Sequence, residues 1–202
     1  AELRRCCTKA VSLEAVAQRI VNYLYHDLRD HHGARAAALV RFFLTRSFDS
    51  IPEEHQKFAR SVDDRPPSEN TRCLIVLAGA GLEPEWNFPT ALPRADVPGH
   101  DRRIGLPMPM VAKLMRQFGL DAGFDSQPDS QFVLDQRGRA TVFHVPDAKA
   151  NVHLPADFVE HYGIRSVLGF GGIAGQDDVF AVLMFTTVPV SRETAELFEP
   201  VA

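Results

Sequence analysis

The apolar residues of the chain fall into two patterns, one with helical spacing and one of short continuous runs, and their order sets the fold to expect. From Leu13, apolar positions recur at Val16, Ala17, Ile20, Val21, Leu24 and Leu28. That i, i+3, i+4, i+7 stripe predicts an amphipathic helix, with Ser12 suited to cap its start and Gly33 to stop it. Residues 36–44 read as a mostly apolar strand, and residues 52–60 as a short helix with Glu53 and Glu54 against the dipole of its first turn. Residues 62–70 are charged and hold Pro66 and Pro67, which predicts a surface loop. The run 72–80 is rich in β-branched and aliphatic residues and ends around Gly79 and Gly81, which predicts a buried strand.

Six prolines lie between Pro84 and Pro109, each removing a backbone donor and fixing one torsion. Residues 84–109 therefore predict a long loop, and the only tryptophan, Trp86, makes this loop a candidate pocket lid. Helical spacing returns at Met110, Val111, Leu114, Met115 and Phe118 and stops at Gly119. Strand candidates 131–135 and 140–145 flank a turn with Gly138, and 157–162 reads as a helical turn. Residues 166–173 and 179–190 form a second hairpin signal, and Ser191 caps a last helix with Thr194, Leu197, Phe198 and Val201 on one face. Antiparallel strands in a meander, with helices gathered on one face, make an α+β fold. At 202 residues the chain predicts one domain, 1–202, with its first helix inside 1–32.

Composition narrows the function classes. Apolar residues make up 45% and charged residues 24%, the balance of a globular chain with a core. A formal net charge of -4 and the lack of any Lys/Arg run argue against nucleic acid as a partner. The longest apolar stretch, 179–190, is broken by Thr186, Thr187 and Pro189 and is shorter than the ~20 residues of a membrane span. Residues 1–10 carry Arg4, Arg5 and Lys9 with no apolar block behind them, unlike a secretory signal, so a cytoplasmic protein without membrane insertion is expected. Cys6, Cys7 and Cys73 are odd in number and unsuited to a disulfide framework, and they read as reduced thiols. The chain opens on Ala1 and stops one or two turns into a helical pattern, as a segment of a longer protein would.

The segment Tyr162-Gly163-Ile164-Arg165-Ser166-Val167-Leu168-Gly169-Phe170 resembles the entry of the GAF family into its penultimate strand. A polar turn, the strand 179–185 and a helix from Ser191 follow in that family's order, and 13–21 leading into 37–43 resembles its opening. The resemblance covers both ends of the chain better than residues 45–130. It implies a GAF-like antiparallel sheet and a sensory, ligand-binding domain of a bacterial signalling protein. Such a domain holds no catalytic residues and passes its state through a helix starting at 191–202 to a downstream output module, foremost a histidine kinase. Pro200 departs from the pattern, since proline inside that helix would kink it.

Candidate chemistry is sparse. The eight histidines form no tight ligand spacing, and His26, His31 and His32 suit a solvated helix end. His144 lies in the apolar run 142–145, in the part of GAF domains that lines the cavity. A neutral imidazole there suits a hydrogen bond to a small-molecule ligand, coordination of haem or non-haem iron, or a satisfied place in the core. Strand alternation sends Val142 and His144 to one face and Phe143 and Val145 to the other, and the resemblance favours the cavity for His144. His153 and His161 are within reach of the same region. Trp86, Met108, Met110, Met115, Phe118, Tyr162, Phe170 and Met184 are candidates to line a pocket for a planar ligand, although such residues also fill cores. Gly169-Phe170-Gly171-Gly172 lacks the helix a dinucleotide loop needs, and reads as turn and bulge. The apolar stripes of the first and last helices predict a homodimer through them. Two alternatives remain: a small GAF-fold enzyme, such as a thiol-based reductase using Cys73, or a ligand-free dimerisation and relay domain.

Overall fold

The computed structural model describes residues 12–53, 56–57, 60, 72–87, 132–134, 140–151, 154–174 and 178–199. Within them the first helix, α1 (Leu13–His26), begins as the sequence predicts. Ser12 is extended, at φ -152°, and its Oγ accepts the Ala15 N–H at 3.2 Å. Backbone hydrogen bonding at this helix start, reinforced by Ser12, holds the Glu14 carboxyl below the usual carboxylate range. The helix buries Ala17, Ile20, Val21, Leu24 and Tyr25 and stops at Asp27, short of the expected run to Gly33. The cause is local. Asp30 Oδ1 accepts the N–H groups of His32 at 2.9 Å and Ala34 at 2.8 Å, a side-chain turn that competes with helix, and Gly33 serves it at φ 79°.

Among the described residues six strands follow: β1 (Ala37–Ser47), β2 (Arg72–Gly81), β3 (Phe132–Leu134), β4 (Ala140–Val145), β5 (Ser166–Ala174) and β6 (Asp178–Thr186). They form one sheet in the order β2-β1-β6-β5-β4-β3, with every neighbouring pair antiparallel. Helix α2 (Ala156–His161) joins β4 to β5, and α3 (Arg192–Glu196) follows β6. The α+β class expected from the sequence is what the chain adopts.

Both sheet faces are buried. One meets α1 and α3 and holds Val40, Phe42, Leu44, Val142, Leu168 and Val182. The other holds Leu39, Phe43, Phe143, Val145, Val167 and Leu183, with Trp86 and Val159 of α2. The expectation of all helices on one face therefore holds for α1 and α3 and not for α2. The chain leaves β4 and enters β5 on the side to which Val145 and Val167 point, and α2 has only Val159 buried, which faces them.

Three further details differ from the sequence reading. Strand β6 ends at Thr186 rather than at 190, because Pro189 has no N–H to extend a ladder. Gly169 and Gly171 sit inside β5 as ordinary ladder residues, opposite Leu183 and Ala181, and a Cβ on Gly169 would strike the Leu183 side chain. Helix α3 keeps its Ser191 cap, which accepts the Thr194 N–H at 3.2 Å, but it buries Ala195 while Leu197 stands 75% exposed. Glu53, Gln56, Lys57 and Arg60 are helical, in line with the short helix expected there. The expected loop 62–70, the helix with Met110, Met115 and Phe118, Met108, His153, Cys6, Cys7 and residues 88–109 of the proline-rich loop lie outside the described residues. No described helix is long and apolar enough to cross a membrane.

Candidate functional site

The chain leaves β2 at Gly81 and turns over the sheet through a single 3-10 turn, Pro84–Trp86. Asn87 fixes that turn. Its side-chain oxygen accepts the Gly81 N–H at 2.9 Å, and its amide donates to Gly81 O at 2.9 Å and Glu83 O at 2.8 Å, so one side chain imitates a strand partner for the end of β2. The turn drops Trp86 onto β2, where it is 7% exposed. Two alternate residues beneath it are glycines, and space requires it. A Cβ on Gly81 would stand 2.6 Å from the indole, and one on Gly79 would stand 2.6 Å from the Trp86 backbone oxygen.

Around Trp86 the rings of α2 and β6 close an aromatic group. Tyr162 lies 4.7 Å from the indole and Phe158 lies 6.1 Å away, and Phe158 meets Phe185 edge-on at 5.3 Å. The Tyr162 hydroxyl donates to Glu83 at 3.2 Å, tying α2 to the turn before Trp86. Beside this group Arg41 points out of the centre of β1, across the ladder from Gly79. Its guanidinium is buried, and the loss of water pushes its pKa down to about 10. Among the described residues Arg41 is the one buried arginine, and a Cβ on Gly79 would touch both its side chain and Trp86.

Partial burial, and next the Glu83 carboxylate that faces it, push the Tyr162 phenol above its ordinary 10.0. A raised folded value means that the folded chain keeps the proton after the unfolded chain has lost it. The stabilisation is therefore complete below about pH 10 and is lost as pH rises through the folded value. The stability gap between wild type and Tyr162→Phe, read from urea midpoints, is expected to narrow from about pH 9 to pH 11. A gap that stays constant over that range would contradict the assignment.

Of the ligand candidates singled out from the sequence, the five that are described, Trp86, His144, Tyr162, Phe170 and Met184, divide between the two faces of the sheet. Trp86 and Tyr162 share the aromatic face. Phe170 and Met184 lie on the opposite face among the terminal helices, with Phe170 stacked on Phe198 at 5.5 Å. His144 is on that second face too: its Nε2 lies 2.8 Å from the Val190 carbonyl oxygen, which can only accept, so Nε2 carries the proton. This corrects the expected cavity orientation. The Val190 carbonyl engages Nε2, and His144 is 5% exposed. Met110, Met115 and Phe118 lie outside the described residues. The pocket lid expected to face His144 therefore begins on the other side of the sheet from it.

His161 is exposed and packs edge-on against Tyr162 at 4.6 Å. Among the described residues no three His, Cys, Asp or Glu side chains gather as a metal site. Cys73 stands opposite Arg46 in the β1–β2 ladder. Two open hollows lie among the described residues. One of about 290 Å³ runs along α2 past Lys149, Asn151 and Leu154, and one of about 480 Å³ lies between Pro146, Arg165 and Pro189. Neither is lined by a residue named as a ligand candidate from the sequence. Sequence patterns also pass over Phe158, Glu83 and Arg41, although a charged residue inside the apolar run 37–43 is a signal that was open to reading. No protein-family model, no curated protein and no solved structure matches the chain.

Proposed function

We propose that the chain is a GAF-like sensory domain of a bacterial signalling protein that works in the cytoplasm. A small molecule bound at the aromatic face biases the terminal helices, and a downstream module, foremost a histidine kinase, carries the output. One observation supports this reading above others: the two faces have different contents. Trp86, Tyr162, Phe158 and buried Arg41 sit on one face, and the helices nearest the two ends of the chain sit on the other. The stretches that carry the GAF resemblance fall in α1, β1, β5 with the residues 162–165 before it, β6 and α3, and three of these elements are adjacent strands of the sheet.

The test uses the only tryptophan. A small-molecule screen should yield a binder that changes Trp86 emission and also changes amide exchange in α1 or α3. A binder that leaves both unchanged, or that is turned over chemically, would sink the reading. The reading includes a homodimer through the terminal helices, because Leu13, Val16 and Tyr23 of α1 and Phe198 after α3 are only partly covered and Leu197 is exposed. Light scattering is expected to give a particle near twice the 22.4 kDa of the chain. A particle of one chain mass at micromolar concentration refutes the dimer.

A further inference from the structure

Buried polar side chains are few in the described core: Arg41, Thr45, His144, Ser166 and Thr186. Three of the five converge on one short piece of backbone, the connector from Thr187 to Ser191 that leads into α3. His144 of β4 donates from Nε2 to Val190 O at 2.8 Å. Ser166 of β5 accepts the Val190 N–H on its Oγ at 2.9 Å, and the same hydroxyl donates to Pro146 O at 2.8 Å. Thr186 Oγ1 lies 2.9 Å from both Ser166 O and Val188 O, so its one proton is shared between the strand and the connector. Both polar backbone atoms of Val190 are thus held by side chains of the sheet.

These contacts do what a ladder does elsewhere. Pro189 cannot donate, so the connector cannot continue β6, and side chains satisfy Val190 in place of a neighbouring strand. Ser191 follows at once and caps α3, so the position of Val190 fixes where that helix begins. The strands that supply the grip reach the other face one residue away. Phe143 and Val145 flank His144, Val167 follows Ser166, and all three belong to the aromatic-face cluster. A shift of β4 against β5 therefore changes the spacing of the groups that hold Val190.

We infer that His144, Ser166 and Thr186 form a polar latch that docks the connector and the C-terminal helix on the sheet, and that opening this latch releases the helix while the sheet stays folded. Its use in signalling rests on the sensory reading, but the latch itself is testable without any ligand.

The experiment is residue-resolved amide exchange on the 202-residue chain and three variants. His144→Leu removes the donor and keeps bulk, His144→Gln offers an amide N–H in its place, and Ser166→Ala removes the acceptor of the Val190 N–H. Local opening that loses one buried hydrogen bond is expected to speed exchange from Val190 to Phe198 about five- to tenfold in His144→Leu and Ser166→Ala. Rates in β1 and β6 should stay near those of the wild type, and His144→Gln should bring the connector back toward wild-type protection. Equal acceleration across β1, β5 and β6 would show that the groups serve general stability only, and the latch would fall. So would unchanged rates at Val190, or Leu and Gln variants that behave alike. A failure of this kind leaves the ligand screen untouched, since no ligand enters the measurement.

Discussion

Trp86→Ala is expected to lower the unfolding free energy by about 3–5 kcal/mol, the range for deleting a large buried aromatic side chain. The upper part of that range applies when the surroundings cannot collapse into the space, and here the floor is rigid. Below the indole lies the backbone of Gly79 and Gly81, pinned in the β1–β2 ladder with no side chain to swing in. Above it, Asn87 holds the turn through three hydrogen bonds that do not involve the ring. Tyr162 and Phe158 lose a ring neighbour and stay tied to α2. Far-UV circular dichroism in urea gives the measurement, since the fluorescent reporter is gone. A loss under about 1 kcal/mol, the size of a typical surface or mild core change, would mean that the indole is not the anchor of this face.

Where the helix and strand signals were local, the sequence was readable. The stripe from Leu13 and the Ser12 cap gave α1 its start, and the continuous runs gave β1, β2, β5 and β6 within a few residues. The end of α1 was not readable from the stripe, because Leu28 continues the helical period while the Asp30 side chain closes a turn against it. Face assignment failed for a different reason. Alternation along β4 separates His144 from Phe143 and Val145 correctly, but both faces of this sheet are buried, so hydrophobicity does not say which face meets which layer. The expected lid pairs His144 with Trp86, whereas the sheet lies between them. The aromatic face itself depends on contacts between residues far apart in sequence, such as Tyr162 with Glu83, which no spacing rule predicts.

Arg41 and Gly79 show how one such long-range pair was partly open to reading. A charge in the middle of an apolar strand demands room and a polar neighbourhood. A glycine across the ladder supplies the room: a Cβ there would stand 3.1 Å from the guanidinium nitrogen Nη1. The sequence displays both residues and not their register.

The two glycines under Trp86 make separable predictions, because they face different parts of the same residue. Gly81→Ala places a methyl 2.6 Å from the indole ring, with the Ala38 oxygen and Leu39 each at 3.1 Å. Gly79→Ala places one 2.6 Å from the Trp86 backbone oxygen. Each is expected to cost about 1–3 kcal/mol as overpacking. Against Trp86→Ala the two should part. Removing the ring removes most of the Gly81→Ala clash, so that pair should show a coupling energy of about 1–2 kcal/mol in a double-mutant cycle. The backbone oxygen remains when the ring is cut away, because the hydrogen bonds of Asn87 still set the turn, so Gly79→Ala and Trp86→Ala should add within about 0.5 kcal/mol. Urea unfolding of the two singles, Trp86→Ala and both doubles decides it. If Gly81→Ala proves additive with Trp86→Ala, the indole does not lie in the trough over β2. If Gly79→Ala couples as strongly as Gly81→Ala, the turn is held by the ring rather than by Asn87.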